Sequence, residues 1–181
     1  MLILHPITIA FAIVAAGMIL FGPLRRLVPV GRRDRVAGIM IRYVLYGWLV
    51  GALFFMPVHI IVAGVRDGEG WREIAGPALA SLVMVPTIAN ILFVAFAAVG
   101  IPSAMVAGLL HAGVVAWRGT LFPWIAPFIG LAGSGAGLLV WGGVPLSMGE
   151  RPDTVAWFAS GAIAATLMGW GDEWRARRAH G

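Results

Sequence analysis

Cysteine and lysine are both absent from this chain of 181 residues. Without cysteine there is no disulfide, no thiolate nucleophile, no thiolate metal site and no covalently attached haem. Without lysine, all 13 basic residues are arginines, which excludes a Schiff base with a carbonyl compound and a Ser–Lys dyad. These two absences exclude several classes of enzyme, and the sequence contains no recognisable catalytic signature.

Charge is also missing from long parts of the sequence. All eight acids lie in short polar breaks, and so do the arginines, except for Arg42 near the start of an apolar stretch. Because 60% of the residues are hydrophobic and charge is costly in hydrocarbon, this distribution predicts an integral membrane protein with the lipid bilayer as its partner. The arginines are scattered over loops rather than gathered on one face, so we expect no binding of nucleic acid.

Continuous apolar runs predict helices, and together they predict an all-α polytopic transmembrane bundle that forms a single domain. Polar or Gly/Pro-rich breaks separate the runs. One such break is Arg66–Gly70, and another is Gly100–Ser103, where Pro102 suits the start of a helix. The predicted spans are residues 3–22, 40–64, 75–99, 103–117, 121–143 and 154–170.

The arginine cluster at 25–35 follows the first span, which predicts a cytoplasmic loop there and an outside N-terminus, most simply in a bacterial inner membrane. Six crossings would place seven arginines inside and six outside, which is no bias. If residues 74–118 make a single net crossing of the membrane, ten arginines lie inside and three outside. As one helix, however, 74–118 would be about 67 Å long, roughly twice the hydrocarbon thickness. We therefore expect about six spans, with five net crossings as the alternative.

Small residues recur at a spacing of four within the apolar runs, which lets helix backbones approach closely in lipid. Such faces either pack the helices of the chain against one another or form a subunit interface. The predicted helix-packing residues are Gly47 and Gly51, Gly108 and Ala112, Gly133 and Gly137, and Gly161 and Ala165.

Ionisable residues inside the apolar runs are the candidates for function. Arg42 lies close enough to the end of its run for its side chain to reach the headgroups. His59 and His111 each lie seven residues before an arginine, so six crossings would place both imidazoles at one depth, as axial ligands of a b-type haem or as part of a small metal site. A core histidine bonded to a carbonyl is the competing interpretation. Thr87 and Asn90 form a possible polar path for a small solute.

The sequence therefore favours a non-enzymatic accessory or assembly subunit of a membrane complex, associating with itself or with another membrane subunit. Two alternatives stay open: an electron-transfer protein that binds haem or a metal through His59 and His111, and a channel or transporter component for a small solute. No proton-coupling carboxylate is expected among the helices, and Ser134 has no histidine base after it except His180 in the polar tail, which disfavours a serine hydrolase.

Overall fold

The structure is a computed structural model that describes residues 26–140 and 152–178, without the side chains of residues 85–99, 140, 152 and 153. This part of the chain is helical apart from short turns and has no strand, so the all-α prediction is confirmed. The first predicted span, 3–22, lies outside the described residues. The helices are α1 (Arg33–Arg42), α2 (Trp48–Asp67), α3 (Trp71–Arg118), α4 (Ala126–Val140) and α5 (Pro152–Arg178).

The first two helices form one continuous rod. A 3-10 turn, Val30–Arg32, leads into α1, and a π-helical stretch, Tyr43–Gly47, connects α1 to α2 without a break. The rod ends at Gly68, whose φ of 76° is the left-handed conformation that glycine adopts without strain. By length and composition, the described residues contain two helices able to cross a membrane, Val30–Asp67 and Gly100–Arg118.

The predicted break at Gly100–Ser103 is wrong, because α3 is a single helix of 48 residues that continues through it. Gly100 is there for packing: a Cβ at this position would lie 3.0 Å from Trp48 Cβ of α2. Pro102 is buried inside the helix. A proline there removes one backbone hydrogen bond, whereas ending the helix at this buried position would leave several backbone groups unpaired. The six-span arrangement is therefore not confirmed.

The helix α3 returns along the α1–α2 rod in the opposite direction. Positions on the rod at 43, 47 and 48 face positions 108, 104 and 100 of α3 in that order. Near the Gly68 turn, Gly64 faces Ile74. Between the Trp48–Gly100 contact and the Gly64–Ile74 contact, the rod is 16 residues long, about 24 Å, whereas α3 is 26 residues long, about 39 Å. The helix α3 therefore does not follow a straight course beside α2.

The last two helices complete an up-and-down arrangement. A Cβ built on Gly130 of α4 would meet the backbone of Gly161 and Ala162 of α5, and Ser134 contacts Trp157, so α4 and α5 are antiparallel. The buried core lies at the end of the bundle where α1, the end of α3 and the end of α5 meet. Its members include Ile39, Met40, Tyr43, Val115, Leu121, Ile129 and Ala165.

Candidate functional site at the ion-paired end of the bundle

Two arginines and one buried carboxylate meet where α1 packs against α5. Arg35 and Arg42 are seven residues apart on α1, so both side chains lie on one face after two turns. Asp172 lies between them: its Oδ2 accepts from Arg35 Nε at 2.9 Å and Nη2 at 2.7 Å, and its Oδ1 accepts from Arg42 Nη2 at 2.6 Å. Only 3% of Asp172 is exposed, so both carboxylate oxygens are paired where an unpaired charge would be costly.

This ion pair corrects two predictions from the sequence. Arg42 does not extend to solvent as a headgroup anchor, because its guanidinium binds Asp172. Asp172 does not belong to a polar break, because α5 continues to Arg178 and carries the carboxylate back against α1. The spacing of Arg35 and Arg42 was visible in the sequence. Identifying Asp172 as their partner required knowing that the end of α5 lies beside α1, which six crossings exclude.

The turn that follows α3 is bound into the same network. Arg32 Nη1 donates to the carbonyls of Ala116 at 2.8 Å and Trp117 at 3.1 Å, which satisfies acceptors at the end of α3. Arg35 Nη1 donates to the carbonyl of Gly119 at 2.7 Å, in a residue whose φ of 87° requires glycine. The end of α3 therefore lies beside the arginine-rich start of α1, and not at the opposite end of the bundle as six crossings require.

Glu173 completes the connection between α5 and this turn. Its Oε1 accepts from Arg35 Nη2 at 2.6 Å and from the Leu121 backbone N–H at 2.8 Å. Arg35 therefore contacts both acids of α5 and the turn after α3 at once. A network that ties three separate elements at one end of a bundle holds those helix ends in a fixed arrangement.

A tyrosine and a histidine are buried next to the charged network. His111 of α3 is completely buried, its Nδ1 lies 3.2 Å from the Tyr43 hydroxyl, and the two rings meet edge to face with centroids 5.5 Å apart. The hydroxyl also donates to the carbonyl of Ala165 at 3.3 Å. Because the Tyr43 O–H is donated to that carbonyl, the tautomer that suits both contacts has its proton on Nδ1, which donates to the tyrosine oxygen. Nε2 of His111 then has a lone pair and no hydrogen-bond partner among the described residues.

The structure does not bring His59 and His111 together. His111 packs against Tyr43, and His59 lies 16 residues after Tyr43 on the same rod, which is about 24 Å along the axis. The ring of His59 instead stacks with Phe55 at a centroid distance of 6.1 Å. Two imidazole nitrogens that ligate one metal ion each lie about 2 Å from it, so this separation does not suit a shared haem iron or metal. Nowhere in residues 26–140 or 152–178 do three or more His, Asp or Glu side chains form a metal-binding group.

The predicted polar path consists of Thr87 and Asn90, whose side chains lie outside the described residues. A small cavity of about 40 Å³ does occur where the rod, α3, α4 and α5 meet. Its wall includes Ser103, Ser134 and Ser160. This volume suits a bound water molecule rather than a path for a solute.

The predicted small-residue faces lie at helix contacts within the chain. A Cβ added to Gly108 would lie 2.8 Å from Tyr43 Cβ, and one added to Gly133 would lie 2.5 Å from the Ser103 carbonyl oxygen. Gly161 faces the hydroxyl of Ser134. Others lie in looser contact or are simply buried: Gly47 faces Ala104, Gly51 faces Ala164, and Ala112, Gly137 and Ala165 are buried.

No protein-family model, no curated protein and no solved structure matches this chain.

Proposed function

We propose that this chain is a multi-pass integral membrane protein with five net crossings and with its ion-paired end in the cytoplasm. The observation that carries this proposal is the surface of the rod. Val30–Asp67 is long and apolar enough to span a bilayer, yet only 11% of its most apolar window is buried in the bundle. The core helix of a soluble protein would be mostly buried, whereas most side chains of this stretch are only half-buried, and lipid would cover the apolar surface that the fold leaves accessible.

The distribution of charge supports the orientation. Among the described side chains, nine arginines and three acids lie at the ion-paired end, whereas two arginines and three acids lie at the Gly68 end. Such an asymmetry is typical of a cytoplasmic face. The ion-paired end has Arg26, Arg32, Arg33, Arg35, Arg42, Arg118, Arg175, Arg177 and Arg178 with Asp34, Asp172 and Glu173, and the other end has Arg66 and Arg72 with Asp67, Glu69 and Glu73.

Exposed tryptophans mark both ends of the bundle, as expected for indole rings at the headgroup level. Trp71, which is 67% exposed, lies at the Gly68 end. Four others lie at the ion-paired end, and each of them is at least half exposed: Trp117, Trp124, Trp170 and Trp174.

Because these 181 residues contain no cysteine, single introduced cysteines can report the topology without background labelling. We would introduce Glu69→Cys in the turn before α3, Thr120→Cys in the turn after it, and Arg178→Cys at the end of α5. Five crossings predict that a membrane-impermeant maleimide labels position 69 in intact spheroplasts, and positions 120 and 178 only after permeabilisation. Labelling of all three positions in intact spheroplasts would support six crossings and contradict the proposal. Release of the protein from membranes by alkaline carbonate would contradict integral insertion itself.

The role that we propose for this membrane protein is that of a non-enzymatic accessory or assembly subunit. The charged side chains of the ion-paired end bind one another and the backbone, so their evident effect is to hold helices together. Among residues 71–84 of α3, only Ile74, Ala78 and Ser81 are buried, and they form one narrow stripe. The opposite face carries Leu79 and Val83, which are 66% and 77% exposed, and is available to another membrane helix.

The assembly role can be tested at Val83. In mild detergent we expect the protein to migrate in a complex larger than the 19.1 kDa chain on native electrophoresis. Val83→Trp should reduce that complex because a bulky ring separates packed helices, whereas Val83→Ile, the matched control, should retain it. Lipid accommodates the ring, so an unchanged complex in Val83→Trp, or a monomeric wild type, would show that this face meets only lipid.

A further inference from the structure

A cleft of about 860 Å³ opens beside the ion-paired end, between the turn after α3 and the last three turns of α5. This volume lies within the range of sites for small organic ligands. Nothing in the proposed assembly role uses this cleft, which we call the interfacial cleft.

The walls of the interfacial cleft change from apolar to charged along α5. Its apolar part is formed by Phe122, Leu167 and Trp170, and its charged part by Arg35, Glu173 and Arg177. From Leu167 to Arg177 the helix rises about 15 Å. With the ion-paired end in the cytoplasm, Leu167 and Trp170 lie on the acyl side of Glu173 and Arg177, which face the headgroups.

The charged part of the cleft offers positive charge that the protein does not itself neutralise. Arg35 is held by Asp172, Glu173 and the Gly119 carbonyl, and the Glu173 carboxylate is compensated by Arg35 and the Leu121 N–H. Arg177 is exposed and forms no ion pair with any side chain in the described part of the chain. A phosphate group is the natural partner for such a guanidinium.

We propose that the interfacial cleft binds one anionic phospholipid, with the phosphodiester at Arg177 and an acyl chain against Phe122, Leu167 and Trp170. The proposal rests on the membrane insertion and orientation given above. The amphiphilic wall favours a lipid over a free phosphate, because inorganic phosphate would leave the apolar part of the cleft exposed to water. The surplus of arginines at this end favours an anionic lipid over a zwitterionic one.

The experiment uses the full chain, purified in maltoside detergent and delipidated. Phosphatidylglycerol, phosphatidylcholine, inorganic phosphate and glycerol 3-phosphate are added separately, and bound lipid is counted by native mass spectrometry while thermal unfolding is followed. We expect one phosphatidylglycerol to bind and raise the unfolding temperature, and phosphatidylcholine to bind at least fivefold more weakly. The two soluble phosphates should have no comparable effect.

Two variants and one control locate the site. Arg177→Gln should weaken phosphatidylglycerol binding about fivefold, the change expected for one arginine near a charged headgroup. Arg178→Gln removes the same charge one residue away, but Arg178 stacks over Trp174 at 3.7 Å and does not line the cleft, so it should bind like the wild type. Thr120→Trp should occlude the cleft and abolish tight binding without changing charge.

Equal weakening in Arg177→Gln and Arg178→Gln would overturn the proposal, since it would show attraction to surface charge alone. Equal binding of the two phospholipids would overturn headgroup recognition, and a matching effect of inorganic phosphate would identify a free-anion site instead. If cysteine labelling confirms five crossings but the protein shows no preference for phosphatidylglycerol, the proposed lipid site is wrong and the proposed membrane topology is retained.

Discussion

Asp172→Asn removes the one charge that pairs with both Arg35 and Arg42 of α1, and it is the sharpest test of the ion-paired end. The amide keeps the size of the side chain, so the change introduces no cavity. It leaves Arg35 and Arg42 without their shared carboxylate, at a position where Asp172 itself is 3% exposed. Breaking a buried ion pair by removing one partner costs about 3–5 kcal/mol.

We expect the lower end of that range, about 3 kcal/mol, because the side chains of Arg35 and Arg42 are 23% and 27% exposed and water solvates them in part. A loss of about 3 kcal/mol lowers the ratio of folded to unfolded protein by roughly a hundredfold. The free energy of unfolding would be measured by titrating SDS into detergent micelles, with tryptophan fluorescence and circular dichroism as independent probes of unfolding.

Asp34→Asn is the matched control, because Asp34 is an exposed acid on α1, the helix that carries Arg35 and Arg42, and the substitution changes the net charge equally. It should shift the free energy of unfolding by less than about 0.5 kcal/mol. If Asp172→Asn is no more destabilising than Asp34→Asn, the network does not hold the helices together and the reasoning fails. Arg42→Met combined with Asp172→Asn should cost less than the sum of the single changes, since the two residues share one interaction.

Two further substitutions test helix packing and the buried histidine. Gly130→Ala should destabilise the protein by about 2 kcal/mol or more because its Cβ would meet the backbone of α5, whereas Gly113→Ala, with nothing within 4 Å, should be neutral or stabilising by up to about 1 kcal/mol in the same SDS titration. His111→Ala should cost about 2–4 kcal/mol because a fully buried ring is lost, and His59→Ala should cost clearly less because His59 is only partly buried. Equal losses in either pair would contradict the assigned contacts.

The sequence predicts the helical class and some helix ends well, because those depend on local chemistry. Lipid-compatible apolar runs have to be helical, and a polar break with glycine ends a helix whether the neighbouring helices are known or not. Gly68 and Gly119 end α2 and α3 where the sequence placed breaks. Gly100 and Pro102 also predict the end of a helix, but the helix continues through them. Gly100 instead permits close contact with Trp48, which no local sequence pattern reveals.

The candidate site was harder to predict because it depends on which helix ends meet. Asp172 has the appearance of the first residue of a polar tail, and only its position beside α1 makes it a buried counter-ion for Arg35 and Arg42. The equal depth of His59 and His111 followed from six crossings and disappears once α3 is a single helix. The arginine count of ten against three favours five net crossings, whereas the length of residues 74–118 favours six.

The long sequence separation within the ion pair has a consequence for synthesis. Arg42 and Arg35 leave the ribosome 130 and 137 residues before Asp172, a delay on the order of ten seconds at usual elongation rates. During that interval the first described helix carries two arginines whose counter-ion does not yet exist. A chain that stops before α5 lacks both Asp172 and Glu173, so neither Arg35 nor Arg42 has the acid that it binds in the finished fold.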